Sequence, residues 1–148
     1  MSTLRAAQAP TRDSGFTLVE LMIVVTIVSI LSAIAVPMYS QYVRRGKITE
    51  ATSSLSELRL RAEKFFADNR TYVGFNQTIG NARYFGYTCV TPTASTFMCT
   101  ANGSTGDGTM SGFQYTINES NTRTSTFTGV AGWNNSTTCW VTKKGESC

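Results

Sequence analysis

The chain of 148 residues contains no histidine. That excludes triads built on an imidazole base, histidine metal sites and histidine pH switches. Charge is also scarce, at 15% of residues against the ~25% usual in soluble domains. No Ser-His pairing, P-loop, GxSxG elbow or clustered metal ligands are present, and the carboxylates nearest the C-terminus (Asp107, Glu119, Glu146) lie far apart in sequence. No cofactor or metal is therefore expected, and the chain does not read as an enzyme. What the chain does have is unevenly placed. Seventeen of the 23 residues from 16 to 38 are apolar. Four cysteines, an even number, allow disulfides in an oxidising compartment.

Composition divides the chain into four zones. Residues 1–15 are short, polar and slightly basic, with Arg5 and Arg12 against Asp13. They lack the apolar run of a secretory signal. Residues 16–38 carry one charge, Glu20. As a helix they would rise ~34 Å, enough to cross a ~30 Å hydrocarbon layer. Being greasy all round, the segment would suit the core of an assembly equally well.

Residues 39–70 change character, with eleven charges in 32 positions. Among them Ile48, Ala51, Leu55, Leu58, Ala62 and Phe65 recur at spacings of three and four, the mark of one buried helix face. Glu57 and Arg61 form a favourably oriented i,i+4 pair. Gly46 and Pro37 are the only weak points upstream, and Pro37 is expected to bend the axis rather than end it. The simplest account is one helix of roughly fifty residues, greasy everywhere in its first half and on one stripe in its second.

Residues 71–148 turn to Thr, Ser, Gly, Asn and aromatics, with seven charges in 78 positions. Phe113, Tyr115 and Ile117 alternate with Gln114, Thr116 and Asn118, which predicts a strand. Asn118–Asn121 reads as a turn into a second strand over Thr122–Thr128. Tyr84–Val90, Phe97–Thr100 and Cys139–Lys143 are further strand candidates, while Asn102-Gly103 and Gly106-Asp107-Gly108 read as turns. The expected fold is α+β: a small antiparallel sheet covering the stripe of the half-helix over 39–70. Short strands alone bury little, so the stripe is needed to complete a core.

Cys89, Cys99, Cys139 and Cys148 admit three pairings. Pairing each with its sequence neighbour closes two loops of about ten residues, worth ~2–3 kcal/mol apiece on loop entropy. Neither pair has CxxC spacing, so zinc and redox catalysis are poor readings and a structural staple is the better one.

Gly15-Phe16-Thr17-Leu18-Val19-Glu20 joins the polar leader to the greasy segment. This run resembles the processing site of type IV prepilins: a small residue, a phenylalanine and a glutamate four further on. Pro37 stands where pilins carry a bending proline, and the resemblance is close over residues 15–45. It implies cleavage of the Gly15–Phe16 bond by a prepilin peptidase, removal of residues 1–15 and N-methylation of Phe16. It implies a type IV pilin-like fold and a subunit stored in the bacterial inner membrane with its head in the periplasm. Partners would be other pilin subunits, the assembly machinery and, before assembly, the lipid bilayer. It also makes Cys139–Cys148 the expected closure of a C-terminal loop. Losing the leader would take the net charge from +4 to +3 with Arg5, Arg12 and Asp13 gone. A buried glutamate in hydrocarbon costs ~2.5–3.5 kcal/mol on insertion scales and needs a partner. The new amine at Phe16 is the nearest cation, so the resemblance assigns Glu20 to subunit assembly.

One feature opposes this orientation. Arg44, Arg45 and Lys47 follow the span while only Arg5 and Arg12 precede it, a bias toward a cytoplasmic head. The cysteines and the leader motif favour a head outside the cytoplasm, and they are given precedence. Function is then a pilus subunit for adhesion, motility or DNA uptake. The alternatives are a DNA-uptake receptor or adhesin on the same scaffold, or a type II secretion pseudopilin. Trp140, Lys143 and Lys144 in the last loop form a small basic and aromatic footprint for DNA. The plainer reading packs Trp140 on the sheet and leaves the lysines to solvate the loop, and Trp133 within Gly129–Asn135 reads the same way. Pseudopilin major subunits usually hold calcium, and Asp107 alone is a poor calcium site.

Overall fold

The computed structural model describes residues 15–76, 79, 83–91, 93–103 and 108–148. Residues 1–14 of the leader and Asp107 lie outside the described residues. Two compact units follow one another, the first ending at Met38 and the second comprising Tyr39–Cys148.

A single helix, α1 (Leu18–Asn69, 52 residues), belongs to both, with Pro37 inside it. The Thr17 hydroxyl accepts the Glu20 backbone N–H at 3.2 Å. Thr17 therefore caps the start of the helix, with an acidic residue in the first turn where the helix dipole favours it. At the other end the Asn69 amide donates to the Phe65 carbonyl at 3.0 Å. Arg70 takes a left-handed φ of 58° and returns its N–H to Phe66 O at 2.7 Å, closing the last turn.

In the second unit four strands follow in chain order: β1 (Phe85–Val90), β2 (Met98–Gly103), β3 (Phe113–Asn118) and β4 (Arg123–Phe127). They form an antiparallel meander ordered β1-β2-β3-β4. The β3–β4 turn is the expected Asn118–Asn121. The Asn118 side-chain oxygen accepts the Thr122 N–H at 2.8 Å, and Asn121 adopts φ 58°.

Helix and sheet share one core. Ile48, Ala51, Leu55, Leu58 and Ala62 are fully buried, the stripe expected from spacing, and Phe65 is partly buried against them. Opposite stand Phe85, Cys99, Ala101, Phe113, Tyr115 and Ile117, one face of the pleat. Met110, Trp133 and Val141 from loops complete the cluster.

Two local expectations are corrected. Asn102-Gly103 is the end of β2, not a turn. A Cβ at Gly103 would stand 1.7 Å from the Met110 carbonyl oxygen, so the glycine is there to admit a crossing backbone. Cys139–Lys143 is not a strand. Its backbone groups are taken by side chains instead of a ladder, as described next.

Candidate functional site

Two regions carry the residues singled out by sequence. The first is the N-terminal half of α1. Phe16 is 83% exposed, and every large apolar side chain from Leu18 to Val36 is at least half exposed. Glu20 is exposed as well. A continuous apolar cylinder of this length is far larger than the patches monomers leave in water, and it requires lipid or neighbouring chains around it. The helix is long and apolar enough to cross a membrane. Two of its polar side chains do not oppose this. The Thr26 hydroxyl donates to Met22 O at 2.8 Å and that of Ser29 to Val25 O at 2.7 Å, so both are satisfied within the helix.

The second region is the C-terminal loop. Cys139 is joined to Cys148, and Cys89 to Cys99, its directly opposed partner across β1 and β2. These are the two sequence-local pairings. Ser125 on β4, 1% exposed, organises the chain before the staple. Its hydroxyl donates to Cys139 O at 3.0 Å and accepts the Val141 N–H at 2.9 Å. Its own backbone pairs with Ser136 in both directions, at 2.8 and 2.9 Å. The Tyr115 hydroxyl donates to Val141 O at 3.0 Å. Side chains thus hold this segment against the sheet, and it makes no fifth strand. Ser125 was missed in the sequence because a serine in a threonine-rich strand carries no signal until its inward register is known.

The proposed DNA footprint is largely engaged within the protein. The Trp140 indole N–H donates to Thr116 O at 2.9 Å, and the Arg123 guanidinium lies 4.8 Å from its ring centroid. Lys143 is ion-paired with Glu146. The Lys144 side chain crosses Gly132, where a Cβ would come within 2.3 Å of Cε. Trp133 packs edge-on against Phe113 at 4.9 Å and is core, not surface. Between helix and loop an open groove of about 350 Å³ is bordered by Ser53, Ser56, Arg123, Trp140 and Thr142.

Burial of their hydroxyls raises the pKa of Tyr115, Tyr87 and Tyr72 above the ordinary phenol value. Among the described residues no group of three or more His, Cys, Asp or Glu side chains is placed to hold a metal ion.

Residues 10–36 match the prokaryotic N-terminal methylation motif. Residues 37–140 match the family described as type IV minor pilin ComP, DNA uptake sequence receptor. The chain is 40% identical over 79 residues to the type IV major pilin protein PilA of Myxococcus xanthus, covering 53% of this chain and 36% of that one. It is 48% identical over 61 residues to a fimbrial protein of Pseudomonas aeruginosa, covering 41% and 40%. A probable minor fimbrial protein of Dichelobacter nodosus is 45% identical over 60 residues, covering 40% and 38%. These matches span about two fifths of the length of the curated relatives. In fold, the non-core minor pilin PilV of Neisseria meningitidis superposes with a TM-score of 0.54 at 16% identity, over 62% of this chain and 94% of that one. With more than two thirds of its residues inside the second match, behind a methylation motif, this chain belongs to the type IV pilins, in the family of the minor pilin ComP.

Proposed function

We propose that the chain is a type IV pilus subunit, held in the inner membrane by residues 16–38 with its head in the periplasm, and polymerised from there into an extracellular filament. The observation that carries this is the exposed apolar half of α1, with every large apolar side chain at least half exposed, directly behind the Gly15–Phe16 motif. Such a surface is stable only in lipid or bundled with its own kind, and a non-closing, head-to-tail contact between copies extends into a fibre. Prepilin peptidase would cut after Gly15 and methylate Phe16. Glu20, set in the first helical turn by Thr17, would then pair with the amine of Phe16 in its own or a neighbouring subunit. Pro37 would let the axis bend between the two halves. The role is structural and not catalytic. The test is the N-terminus of protein sheared from cells: mass spectrometry should find methylated Phe16. Unprocessed Met1 or Ser2 in the filament fraction would refute the reading.

A second reading is favoured by the ComP family match alone: a subunit that receives DNA during uptake. Arg123 over Trp140, beside the open groove, is then a better contact than Lys143 or Lys144, because Glu146 already neutralises Lys143. DNA retardation by the full chain in detergent should weaken more in R123A than in K143A. No retardation at low salt would sink this reading.

A further inference from the structure

Within three turns beyond Met38, helix α1 changes from apolar to basic. Tyr39 and Tyr42 come first and are 70% and 75% exposed. Arg44, Arg45 and Lys47 follow, and Glu50 is the first carboxylate after them. Arg44 and Lys47 are organised by the head, and Arg45 is exposed. The Arg44 guanidinium sits over the Phe113 ring, 5.8 Å from its centroid. The Lys47 ammonium lies 4.5 Å from the Tyr84 centroid and 2.6 Å from the Thr109 hydroxyl. Arg83 shares the Tyr84 ring at 5.2 Å. One Glu50 carboxylate oxygen accepts the backbone N–H of both Arg83 and Tyr84 at 3.3 Å, so the acid is spent on fixing the loop that brings Arg83 in. An open cleft of about 230 Å³ lies among Tyr39, Ser40, Val43, Arg44, Lys47 and Thr109.

Tyrosines and then cations is the order in which side chains meet the interface and then the headgroups on leaving hydrocarbon. The geometry points to a collar of Tyr39, Tyr42, Arg44, Arg45 and Arg83 that binds anionic phospholipid headgroups in the leaflet facing the head. This rests on the membrane-span reading above. Charge complementarity selects the occupant. A phosphatidylglycerol head brings a net negative charge and acceptor oxygens to guanidinium groups that donate in a fixed fork, whereas phosphatidylcholine carries its own cation. The tyrosines favour lipid over nucleic acid, since they continue the apolar helix into the basic zone. The collar also accounts for the charges that oppose the usual orientation bias: they serve the leaflet on the head's side.

The test reconstitutes the full chain into vesicles of phosphatidylcholine with and without phosphatidylglycerol. Spin-labelled lipid of each headgroup reports which is retained at the protein boundary. Wild type should favour labelled phosphatidylglycerol, less so in high salt. Each cation removed should cut the preference about fivefold, so R44Q/R45Q should cut it about 25-fold while R44K/R45K, which keeps both charges, should hold it. R45Q alone, at an exposed position outside the core, should give an intermediate loss even if the double variant misfolds. Equal retention of both headgroups by wild type, or an undiminished preference in R45Q, overturns the collar. So does loss of DNA retardation in R44Q/R45Q with lipid preference intact. A chain that fails to float with either vesicle overturns the span reading and the collar with it. A chain that floats with both and prefers neither headgroup overturns the collar alone.

Discussion

The buried hydroxyl of Ser125 accepts the backbone N–H of Val141 at 2.9 Å while donating to the carbonyl of Cys139 at 3.0 Å. One small side chain thereby satisfies two backbone groups of a segment that has no ladder of its own. Removing it leaves both unpaired in a buried setting, at about 1–3 kcal/mol. S125A should therefore lower the unfolding free energy of the full chain in detergent by that amount, measured by denaturant titration. An S125A curve superimposable on wild type would refute the role.

Single-sequence patterns carry repeating burial well and tertiary pairing poorly. The stripe Ile48–Ala62 was legible because helical burial repeats at fixed spacing and needs no partner to define it. The hairpin of β3 and β4 was legible because alternation met an Asn-rich turn. Cys139–Lys143 is apolar over its first three residues, but its backbone is held by the side chains of Ser125 and Tyr115, and the one isolated backbone bridge to β4 lies upstream at Ser136. Whether a strand forms depends on which edge is free, a tertiary fact. Of the candidate site, the greasy span and its glutamate were plain in the sequence. Trp140 packing on the sheet was legible as the plainer reading, whereas the ion pair of Lys143 with Glu146 and the passage of Lys144 over Gly132 were not, because those contacts form only in the fold.

The two disulfides differ in what they constrain. Cys89–Cys99 links residues already opposed in a ladder, whereas Cys139–Cys148 closes an irregular loop. Their sequence separations of 10 and 9 give similar loop entropies, about 2–3 kcal/mol each. Local opening should nonetheless separate them. C139S/C148S should expose the bonds after Lys143 and Lys144 to trypsin while the sheet stays folded. C89A/C99A should lower global stability without adding a cleavage in that loop. Equal trypsin resistance of C139S/C148S and wild type would contradict this.

Alkaline pH should destabilise the head. Burial raises the pKa of Tyr115 and Tyr87 in the folded state, and it leads the causes for Tyr72, ahead of the Glu63 carboxylate. Above the ordinary phenol pKa of about 10 the unfolded chain releases protons that the folded one retains. The stability these groups contribute is thus complete below that pH and declines above it. Melting temperature against pH should show the decline beginning near 10 and should be shallower in Y115F. Y115F should also be less stable at neutral pH, since Val141 O loses its donor. A decline of equal slope in Y115F would remove Tyr115 from the account.

Thr17 and Glu20 separate helix capping from assembly. The Thr17 hydroxyl holds the Glu20 N–H, so T17V removes a cap worth about 1 kcal/mol and leaves the carboxylate. E20Q keeps the backbone contact and removes the charge. If the carboxylate pairs with the Phe16 amine between subunits, E20Q should reduce sheared filament at least tenfold with processing intact. T17V should assemble at near wild-type levels, because a frayed first turn can re-form once the helix is packed. Filament yield and the fraction of processed subunit, read on the same blot, give both quantities. Were T17V to fail as badly as E20Q, the glutamate would act through the cap. Normal filaments in E20Q would remove Glu20 from assembly altogether.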